Sequence, residues 1–440
     1  MKNNVVTRFA PSPTGNLHSG AYRTAIFSYL FARKNNGTFV LRIEDTDTER
    51  SKKQYEDNIL ESLEWLGLEY DIFVRQSENK NRHKQVLEKM ISDGYAYVSK
   101  EEAKDGSGVL KEIIRFKNPN IDVTFQDEIK GSVTMNTTDL GDFVIAKNIH
   151  EPLFHLAVVV DDFDEGITHV IRGEDHVSNT PRQILIQRAI GAPTPVYAHL
   201  PLVLGLDKQK LSKRKGALAI TEYRDLGYMP EAIINMVAMV GWNPGTEQEL
   251  FSKDDLIQHF VLDQVQKSPA VFNPEKLNWF NREYIKKMSF DEQKTYIKKF
   301  LPERFDSISE EMMNKLVPVI IERIHNFSEV TEMADQGEFD YYVSAPEFDE
   351  SKIIWKTDTL DQAKEHLKKV HALLSDYSGS WDSEGIKSAL WDYAESVGRG
   401  SVLWPMRYTL SGRDKSPDPF TLAYILGKEE TLKRISSVIK

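Results

Sequence analysis

The sequence predicts an α/β fold of parallel strands and helices, followed by an all-α C-terminal part. Three observations carry this prediction. Strand and helix patterns alternate through the first half of the chain, and after about residue 290 only amphipathic helical patterns remain. The length of 440 residues also exceeds what one hydrophobic core usually supports, so we expect about two to four domains.

A strand–loop–helix–strand unit opens the chain. The pattern of a short strand covers VVTRFA (5–10), a helical repeat of apolar residues covers AYRTAIFSYLFARKNNG (21–37), and a second strand pattern covers TFVLRIE (38–44). Gly37 is the predicted C-cap of the helix. The loop between the first strand and the helix, PSPTGNLHSG (11–20), lies where open α/β sheets bind ligands, at the carboxyl end of a strand.

The alternation continues further along the chain. A helical pattern covers YEDNILESLEWLG (55–67), and the strand pattern THVIRGED (168–175) leads into the helical pattern TPRQILIQRAIG (180–191), with Thr180 as its predicted N-cap. Residues 95–152 change to short mixed segments with turn signals, which predicts a small α+β insertion.

Four segments of the C-terminal part have the amphipathic repeat of a helix. They are EQKTYIKKFL (292–301), EEMMNKLVPVIIERI (310–324), LDQAKEHLKKVHALL (360–374) and EGIKSALWDYAESVG (384–398). This part is therefore predicted to be all-α.

The composition is that of an ordinary globular protein and excludes several classes of site. Hydrophobic residues make up 40% of the chain and charged residues 28%, which is unlike a disordered protein. The absence of cysteine excludes disulfides, thiolate zinc sites and a cysteine nucleophile. The formal net charge of −11 argues against indiscriminate coating of nucleic acid. We find no apolar run of signal-peptide or membrane-span length, so we expect a cytoplasmic protein with no membrane contact.

The loop at 11–20 contains the residue types of an anion site. The chain has no G-x-x-x-x-G-K-[ST] sequence, so a P-loop is excluded. In this loop, however, glycine permits close approach of the backbone, a helix that begins near Ser19 presents free N–H groups, and His18 adds a donor. The alternative is that proline and glycine merely shape a tight turn.

A second motif is the basic run KQKLSKRKG (208–216), which places Lys210 and Lys213 around Ser212. Taken alone, such a run is most simply explained as solvated surface. Together, a His/Gly helix start and a K-x-S-K loop are able to hold a triphosphate from both sides while its α-phosphorus is displaced.

These two motifs resemble the HIGH and KMSKS signatures of class I aminoacyl-tRNA synthetases, in the form found in bacterial glutamyl-tRNA synthetases. The similarity extends over nearly the whole chain and includes RFAPSPTG, LRIEDTD, ESLEWLGLEYD, AVVVDD, THVIRGEDHVSNTPRQ, KSPAVFNPEKLNWFN and LSGRDKSPDPFTLAYILGKEETLKR. The implied domains are a split Rossmann-like nucleotide-binding catalytic domain (1–94 and 153–209), a shortened insertion that binds the tRNA acceptor end (95–152), the KMSKS loop with a stem-contact region (210–290), and a helical anticodon-binding domain (291–440).

The resemblance also implies a role for individual residues in activating glutamate with ATP. The catalytic residues would be His18, Gly20, Lys210 and Lys213, of which the two lysines stabilise the leaving pyrophosphate. The ATP-binding set would add Pro11, Gly15 and Ser212 to these four. Mg²⁺ would accompany ATP, with no metal-ligating residues in the protein and no zinc.

Glutamate would contact Arg8, Ser12, Glu44, Phe154 and Arg172. This charge set suits a dicarboxylic amino acid, because two guanidinium groups can pair with its two carboxylates and Glu44 can accept from its ammonium group. The competing interpretation is that the two arginines pair with the acids of LRIEDTD. The implied partners are L-glutamate, ATP and tRNA-Glu, and the implied state is a monomer.

The sequence departs from the family pattern in three places. Ala21 stands where the HIGH motif has its second histidine, Phe154 stands where relatives usually carry a tyrosine, and the insertion at 95–152 is shorter than usual. Four alternatives stay open: a small-molecule nucleotidyltransferase, a truncated paralogue that modifies a tRNA base, a glutaminyl enzyme, and a non-catalytic tRNA-binding protein. The sequence also leaves open whether tRNA-Gln is charged in addition to tRNA-Glu.

Overall fold

The computed structural model describes residues 4–17, 19–102, 110–211, 218–347 and 349–439. The chain forms two compact units, Met1–Asn281 and Arg282–Lys440. The predicted α/β architecture and the predicted all-α C-terminal part are both confirmed. Among the described helices, none combines the length and the apolar character that a membrane span requires.

In its described residues the first unit contains thirteen strands and nine helices, and the last helix extends beyond residue 281 into the second unit. The strands are β1 (Val6–Phe9), β2 (Thr38–Ile43), β3 (Ile72–Arg75), β4 (Ala96–Glu102), β5 (Leu110–Phe116), β6 (Asp122–Asp127), β7 (Gly131–Asn136), β8 (Phe143–Asn148), β9 (Glu151–Pro152), β10 (His169–Gly173), β11 (Val196–Leu200), β12 (Val203–Leu204) and β13 (Ala270–Val271). The helices in the described ranges are α1 (Ser19–Lys34), α2 (Lys53–Trp65), α3 (Lys80–Ser92), α4 (Phe154–Asp164), α5 (Thr180–Ile190), α6 (Ile220–Asp225), α7 (Pro230–Met239), α8 (Lys253–His259) and α9 (Pro274–Lys287).

A seven-stranded sheet organises this unit, in the order β3-β2-β1-β10-β11-β6-β7. Strands β3 to β6 in that order run parallel to their neighbours, and β7 returns antiparallel to β6. The chain proceeds outwards from β1 on one side and from β10 on the other. The junction of β1 and β10 is therefore a topological switch point, where open α/β sheets bind their ligands.

The central strands are buried on both faces, as parallel strands between helices require. All of Phe39, Val40, Leu41 and Ile43 in β2 are buried, and so is the charged Arg42 between them. Burial of a charge is costly unless it is paired, so Arg42 must have acidic neighbours.

The end of α1 differs from the prediction. Asn36, at φ +50°, has the left-handed conformation that commonly ends a helix, whereas Gly37, the predicted C-cap, does not. Gly37 is needed for a different reason, because a side chain there would overlap the carbonyl oxygen of Val5, the residue just before β1.

The start of α5 also differs. Thr180 is the first residue of the helix, and Asn179 occupies the N-cap position without a side-chain capping bond. The hydroxyl of Thr180 points instead towards its neighbours in the sheet, where it accepts a hydrogen bond from Arg172. The hydroxyl of Thr180, which the sequence predicts to be an N-cap, is therefore a buried partner of Arg172.

The stretch predicted as an insertion divides between two sheets. Strands β4, β5, β8 and β9 form an antiparallel sheet of their own, whereas the β6–β7 hairpin extends the main sheet. In the register of β6 and β11, Asp127 lies opposite Tyr197. The hairpin therefore delivers residues to the carboxyl end of β11, close to the switch point.

The second unit is built from helices in its described residues. They are α10 (Phe290–Phe300), α11 (Glu310–Ile321), α12 (Ser328–Asp335), α13 (Asp340–Val343), α14 (Leu360–Asp376), α15 (Ser383–Val397), α16 (Arg399–Ser411) and α17 (Pro419–Ile439), which breaks at Gly427. The four helices predicted here correspond to α10, α11, α14 and α15. Leu367, Leu390 and Leu422 are fully buried where α14 to α17 pack together.

Candidate active site

A cleft of about 690 Å³ opens at the carboxyl ends of β1 and β10. Most of the predicted site residues line it, although they come from distant parts of the sequence: Arg8, Pro11, Ser12, Gly20, Glu44, Phe154, Arg172 and Lys210. Gly15 belongs to the same loop but does not line the cleft. His18, Ser212 and Lys213 lie outside the described residues.

The Pro/Gly loop is fastened to the elements beside it. The backbone N–H of Glu44 donates to Pro11 O at 3.0 Å, and that of Lys52 donates to Pro13 O at 3.0 Å. Further along the loop, the N–H of Leu17 donates to Asn58 Oδ1 at 3.0 Å. These bonds hold the start of α1 against the cleft, where Gly20 is exposed and the first turn contains no acidic residue. Such a helix N-terminus favours an anionic ligand.

Arg8 lies at the base of the cleft and is held by two bonds. Its Nε donates to Asp162 Oδ1 at 3.2 Å, and its Nη1 donates to Ile171 O at 3.3 Å. Its Nη2 has no hydrogen-bond partner among the described residues. One edge of a buried guanidinium is thus left for a ligand.

Arg42 forms ion pairs with three carboxylates, one of which, that of Asp162, also pairs with Arg8. It donates to Asp162 at 2.8 Å, to Glu165 at 2.7 Å and to Glu44 at 3.4 Å. Burial opposes ionisation of Asp162, but the two guanidinium groups outweigh it and lower the pKa of that carboxyl. Sequence patterns do not single out Arg42, Asp162 or Glu165, because Asp162 in α4 and Glu165 at its C-cap reach β2 from about 120 residues away in the chain.

Glu44 lines the cleft, and among the described residues its carboxylate forms one ion pair, with Arg42 at 3.4 Å. Burial raises its pKa, and the charges of Arg42 and Arg8 offset that rise only in part. A ligand ammonium group beside it would favour the ionised form. The interpretation in which Arg8 and Arg172 pair with the LRIEDTD acids finds no support among the described residues, since it is Arg42 that contacts Glu44.

Arg172 is the next-to-last residue of β10, the strand on the other side of the switch point from β1. Its Nε donates to His199 Nε2 at 3.1 Å and its Nη2 to Thr180 Oγ1 at 2.8 Å, while its guanidinium lies 5.4 Å from the ring centroid of Tyr197. Burial lowers its pKa to about 10, so it is protonated at neutral pH. Its Nη1 has no hydrogen-bond partner in the described part of the chain, and Arg172 lines the cleft, so this nitrogen is available to a ligand there.

The mouth of the cleft is aromatic. Phe154 is 38% exposed, and its ring lies 5.6 Å from that of His176 and 5.4 Å from that of His155. Burial lowers the pKa of both histidines to about 4, so both are neutral at pH 7. The positive charge of the described cleft therefore comes from arginine and lysine.

Lys210 stands on the exposed side of the cleft. It forms an antiparallel bridge with Leu204, and the N–H of Gly205 donates to Gln209 O at 2.9 Å across the turn. Lys208 in that turn has φ +58°. The basic run thus begins as a tight turn that brings an exposed ammonium group to the cleft edge.

Comparison with known proteins places the whole chain in one group. Residues 4–105 and 99–279 match the family model for the catalytic domain of class I tRNA synthetases (E and Q), and residues 275–439 match that of an anticodon binding domain. The chain is 41% identical to a glutamate–tRNA ligase of Aquifex aeolicus and 38% identical to one of Carboxydothermus hydrogenoformans, over 99% of each chain. The crystal structure of a glutamate tRNA ligase from Elizabethkingia meningosepticum, in complex with its amino acid, superimposes with a TM-score of 0.88 at 33% identity, over 99% of both chains.

Proposed function

The chain belongs to the class I tRNA synthetases of the glutamate and glutamine type, and from this premise we propose how its cleft joins glutamate to tRNA. Its activity is that of a glutamate–tRNA ligase, as in relatives that are 37% to 41% identical over nearly the full chain. As a class I tRNA synthetase it uses ATP.

We infer that glutamate lies at the carboxyl ends of β1 and β10, in the cleft lined by Arg8 and Arg172. Arg8 and Arg172 approach this space from opposite sides, and each has one terminal nitrogen without a partner among the described residues. Glu44 is the acceptor for the α-ammonium group, and Ser12 lies at the same wall. Two cations and one anion match two carboxylates and one ammonium group, which is the charge set of glutamate and not that of glutamine.

ATP occupies the exposed side of the cleft. The free N–H groups at the start of α1, next to Gly20, favour the phosphates, and Pro11 and Gly15 shape the loop in front of them. Lys210 is exposed at the cleft edge and contributes positive charge. His18, Ser212 and Lys213 complete this proposal by their resemblance to the family motifs.

The reaction has two steps. A carboxylate oxygen of glutamate attacks the α-phosphorus of ATP, and the bond from that phosphorus to the bridging oxygen breaks, so that pyrophosphate leaves. The lysines stabilise the negative charge that develops on the leaving group. A ribose hydroxyl at the 3′ end of the tRNA then attacks the acyl carbon, and AMP leaves.

The finer assignments belong to the same proposal. Mg²⁺ accompanies ATP as part of the substrate, and tRNA-Glu is the acceptor. The helical unit contacts the anticodon, consistent with its match to an anticodon binding domain. The protein acts as a monomer in the cytoplasm, where charged tRNA is consumed.

The observation that carries the proposal is the meeting of Arg8, Glu44 and Arg172 in one cleft with Gly20 and Lys210. Charging of purified tRNA-Glu and tRNA-Gln with labelled glutamate tests it. We expect ATP-dependent charging of tRNA-Glu. Absence of charging by the folded protein would contradict the proposal, and charging of tRNA-Gln as well would extend its range of substrates.

A further inference from the structure

Two buried side chains that do not line the cleft, His199 and Asp127, form a hydrogen-bonded chain that ends on Arg172. Asp127 Oδ2 lies 2.5 Å from His199 Nδ1, and His199 Nε2 accepts from Arg172 Nε at 3.1 Å. Both His199 and the carboxylate of Asp127 are completely buried. Neither group lines the cleft, so neither contacts a ligand directly.

The charges along this chain fix the tautomer of His199. Burial lowers the pKa of His199, and the charge of Arg172 acts in the same direction, while the hydrogen bond to Asp127 opposes them. The pKa of Asp127 is lowered despite burial, because His199 and the N–H groups of Lys130 and Ile129 donate to it. A neutral histidine beside an ionised aspartate carries its proton on Nδ1, which leaves Nε2 free to accept from Arg172.

Asp127 is itself held firmly. Its Oδ1 accepts from the backbone N–H groups of Ile129 and Lys130 at 3.0 and 2.8 Å in the turn between β6 and β7. The backbone N–H of His199 adds a bond to each carboxylate oxygen. The β6–β7 hairpin, which extends the main sheet, therefore holds the carboxylate of Asp127 in a fixed orientation beside β11.

We propose that Asp127 and His199 are positioning residues that orient the guanidinium of Arg172 for the substrate carboxylate. This inference rests on the proposed function, in which Arg172 binds glutamate. With Nε bound to His199 and Nη2 bound to Thr180, the plane of the guanidinium is fixed, and Nη1 is the nitrogen left for a ligand in the cleft that Arg172 lines. Holding a ligand-binding group in its bound geometry before the ligand arrives reduces the entropy lost on binding.

Asp127→Asn tests the chain, because the turn dictates how the new amide is oriented. The backbone N–H groups of Ile129 and Lys130 need an oxygen acceptor, so the amide NH₂ faces His199 Nδ1. The amide NH₂ then donates to Nδ1 of His199, which stabilises the tautomer that carries its proton on Nε2. A protonated Nε2 is unable to accept a hydrogen bond from Arg172. We expect the KM for glutamate in the charging of tRNA-Glu to rise about tenfold, with the KM for ATP changed less than about twofold.

Thr137→Val is the matched control at the far end of the same hairpin. Thr137 Oγ1 exchanges hydrogen bonds with the backbone of Ile121 at 2.7 and 3.0 Å, far from the switch point. This variant weakens the hairpin without altering Asp127, His199 or Arg172, so the glutamate KM should stay at the wild-type value.

If Asp127→Asn does not fold, His199→Phe is the substitute test. It removes the acceptor for Arg172 while keeping a ring stacked on Tyr197, and the same rise in the glutamate KM is expected.

A double-mutant cycle separates positioning from a general structural effect. Arg172→Lys keeps the positive charge but lacks the Nε–H group that donates a hydrogen bond to His199. In that background, Asp127→Asn should change the glutamate KM by less than about twofold. An unchanged glutamate KM in folded Asp127→Asn, or a full tenfold effect in the Arg172→Lys background, would overturn the inference. Failure of the wild-type protein to charge tRNA-Glu would instead refute the proposed function.

Discussion

The two sides of the cleft are built differently. On the side proposed to bind glutamate, Arg8, Glu44 and Arg172 are buried and held by hydrogen bonds to neighbours across several strands. On the side proposed to bind ATP, Gly20 and Lys210 are exposed on a helix start and a tight turn. The proposed glutamate site is thus part of the core, whereas the proposed phosphate site lies at its surface.

This difference has a physical reason. Discrimination between glutamate and similar amino acids requires charges at fixed positions, since a displaced group loses the geometry of a charge-assisted bond. Stabilisation of a leaving pyrophosphate requires positive charge that follows the phosphates as the bond breaks. Substitutions on the two sides should therefore affect different kinetic constants.

Arg172→Ala should have the largest effect, and it should be confined to glutamate. Removing one partner of a buried charge pair costs about 4 kcal/mol, which corresponds to roughly a thousandfold rise in the glutamate KM. Steady-state charging measured against each substrate in turn tests this. Equal losses for glutamate and ATP would identify Arg172 as a residue that supports only the fold.

Lys213→Ala should have the opposite signature. A group that meets charge on the leaving pyrophosphate acts in the transition state, where its loss costs on the order of 3 kcal/mol. We expect adenylate formation to slow roughly a hundredfold, with both KM values near those of the wild type. Single-turnover measurements give this rate, and a rate equal to that of the wild type would exclude the role.

Lys210→Ala should have a smaller effect of the same kind. Lys210 is exposed, so solvent screens its charge and its loss should cost about 1 kcal/mol, or roughly fivefold in the rate of adenylate formation. Raising the salt concentration should reduce the difference between this variant and the wild type. A difference that does not change with salt would argue against an electrostatic contribution.

The smallest expected effect is that of His155→Phe, which should change the pH dependence of the free energy of unfolding. Because the pKa of His155 in the folded protein is about 4, below its ordinary value of 6.5, the unfolded chain binds the proton first as the pH falls. Its contribution to stability is complete above pH 6.5 and is lost between pH 6.5 and 4. As the pH falls from 6.5 to 4, the free energy of unfolding should decrease by about 1 kcal/mol less in His155→Phe than in the wild type. Urea unfolding of both proteins at several pH values measures this, and equal pH dependence would contradict it.

The fold and the strand-end loops could be predicted from the sequence because they depend on local patterns. The apolar repeats of α1 and α14 and the Pro/Gly loop at 11–20 are visible in short windows. The same local view misplaced the C-cap at Gly37 and the N-cap at Thr180, since the roles of both residues are set by contacts with neighbouring strands.

The contacts that orient the site could not be predicted in this way. Arg42 meets Asp162, and Asp127 meets His199, across separations of 120 and 72 residues. Such pairs depend on which strands become neighbours and in what register. A charged residue in an apolar strand, such as Arg42, indicates that a partner must exist but does not identify it.

The most direct test of the account is the ratio of kcat/KM for L-glutamate and L-glutamine in the charging of tRNA-Glu by the intact protein. We propose that Arg8, held by Asp162, and Arg172, held by His199 and Thr180, each bind one carboxylate of glutamate. An amide in place of one carboxylate leaves a buried guanidinium without its partner, so glutamate should be preferred by at least about a thousandfold. Comparable kcat/KM values for the two amino acids would contradict the assignment of both arginines.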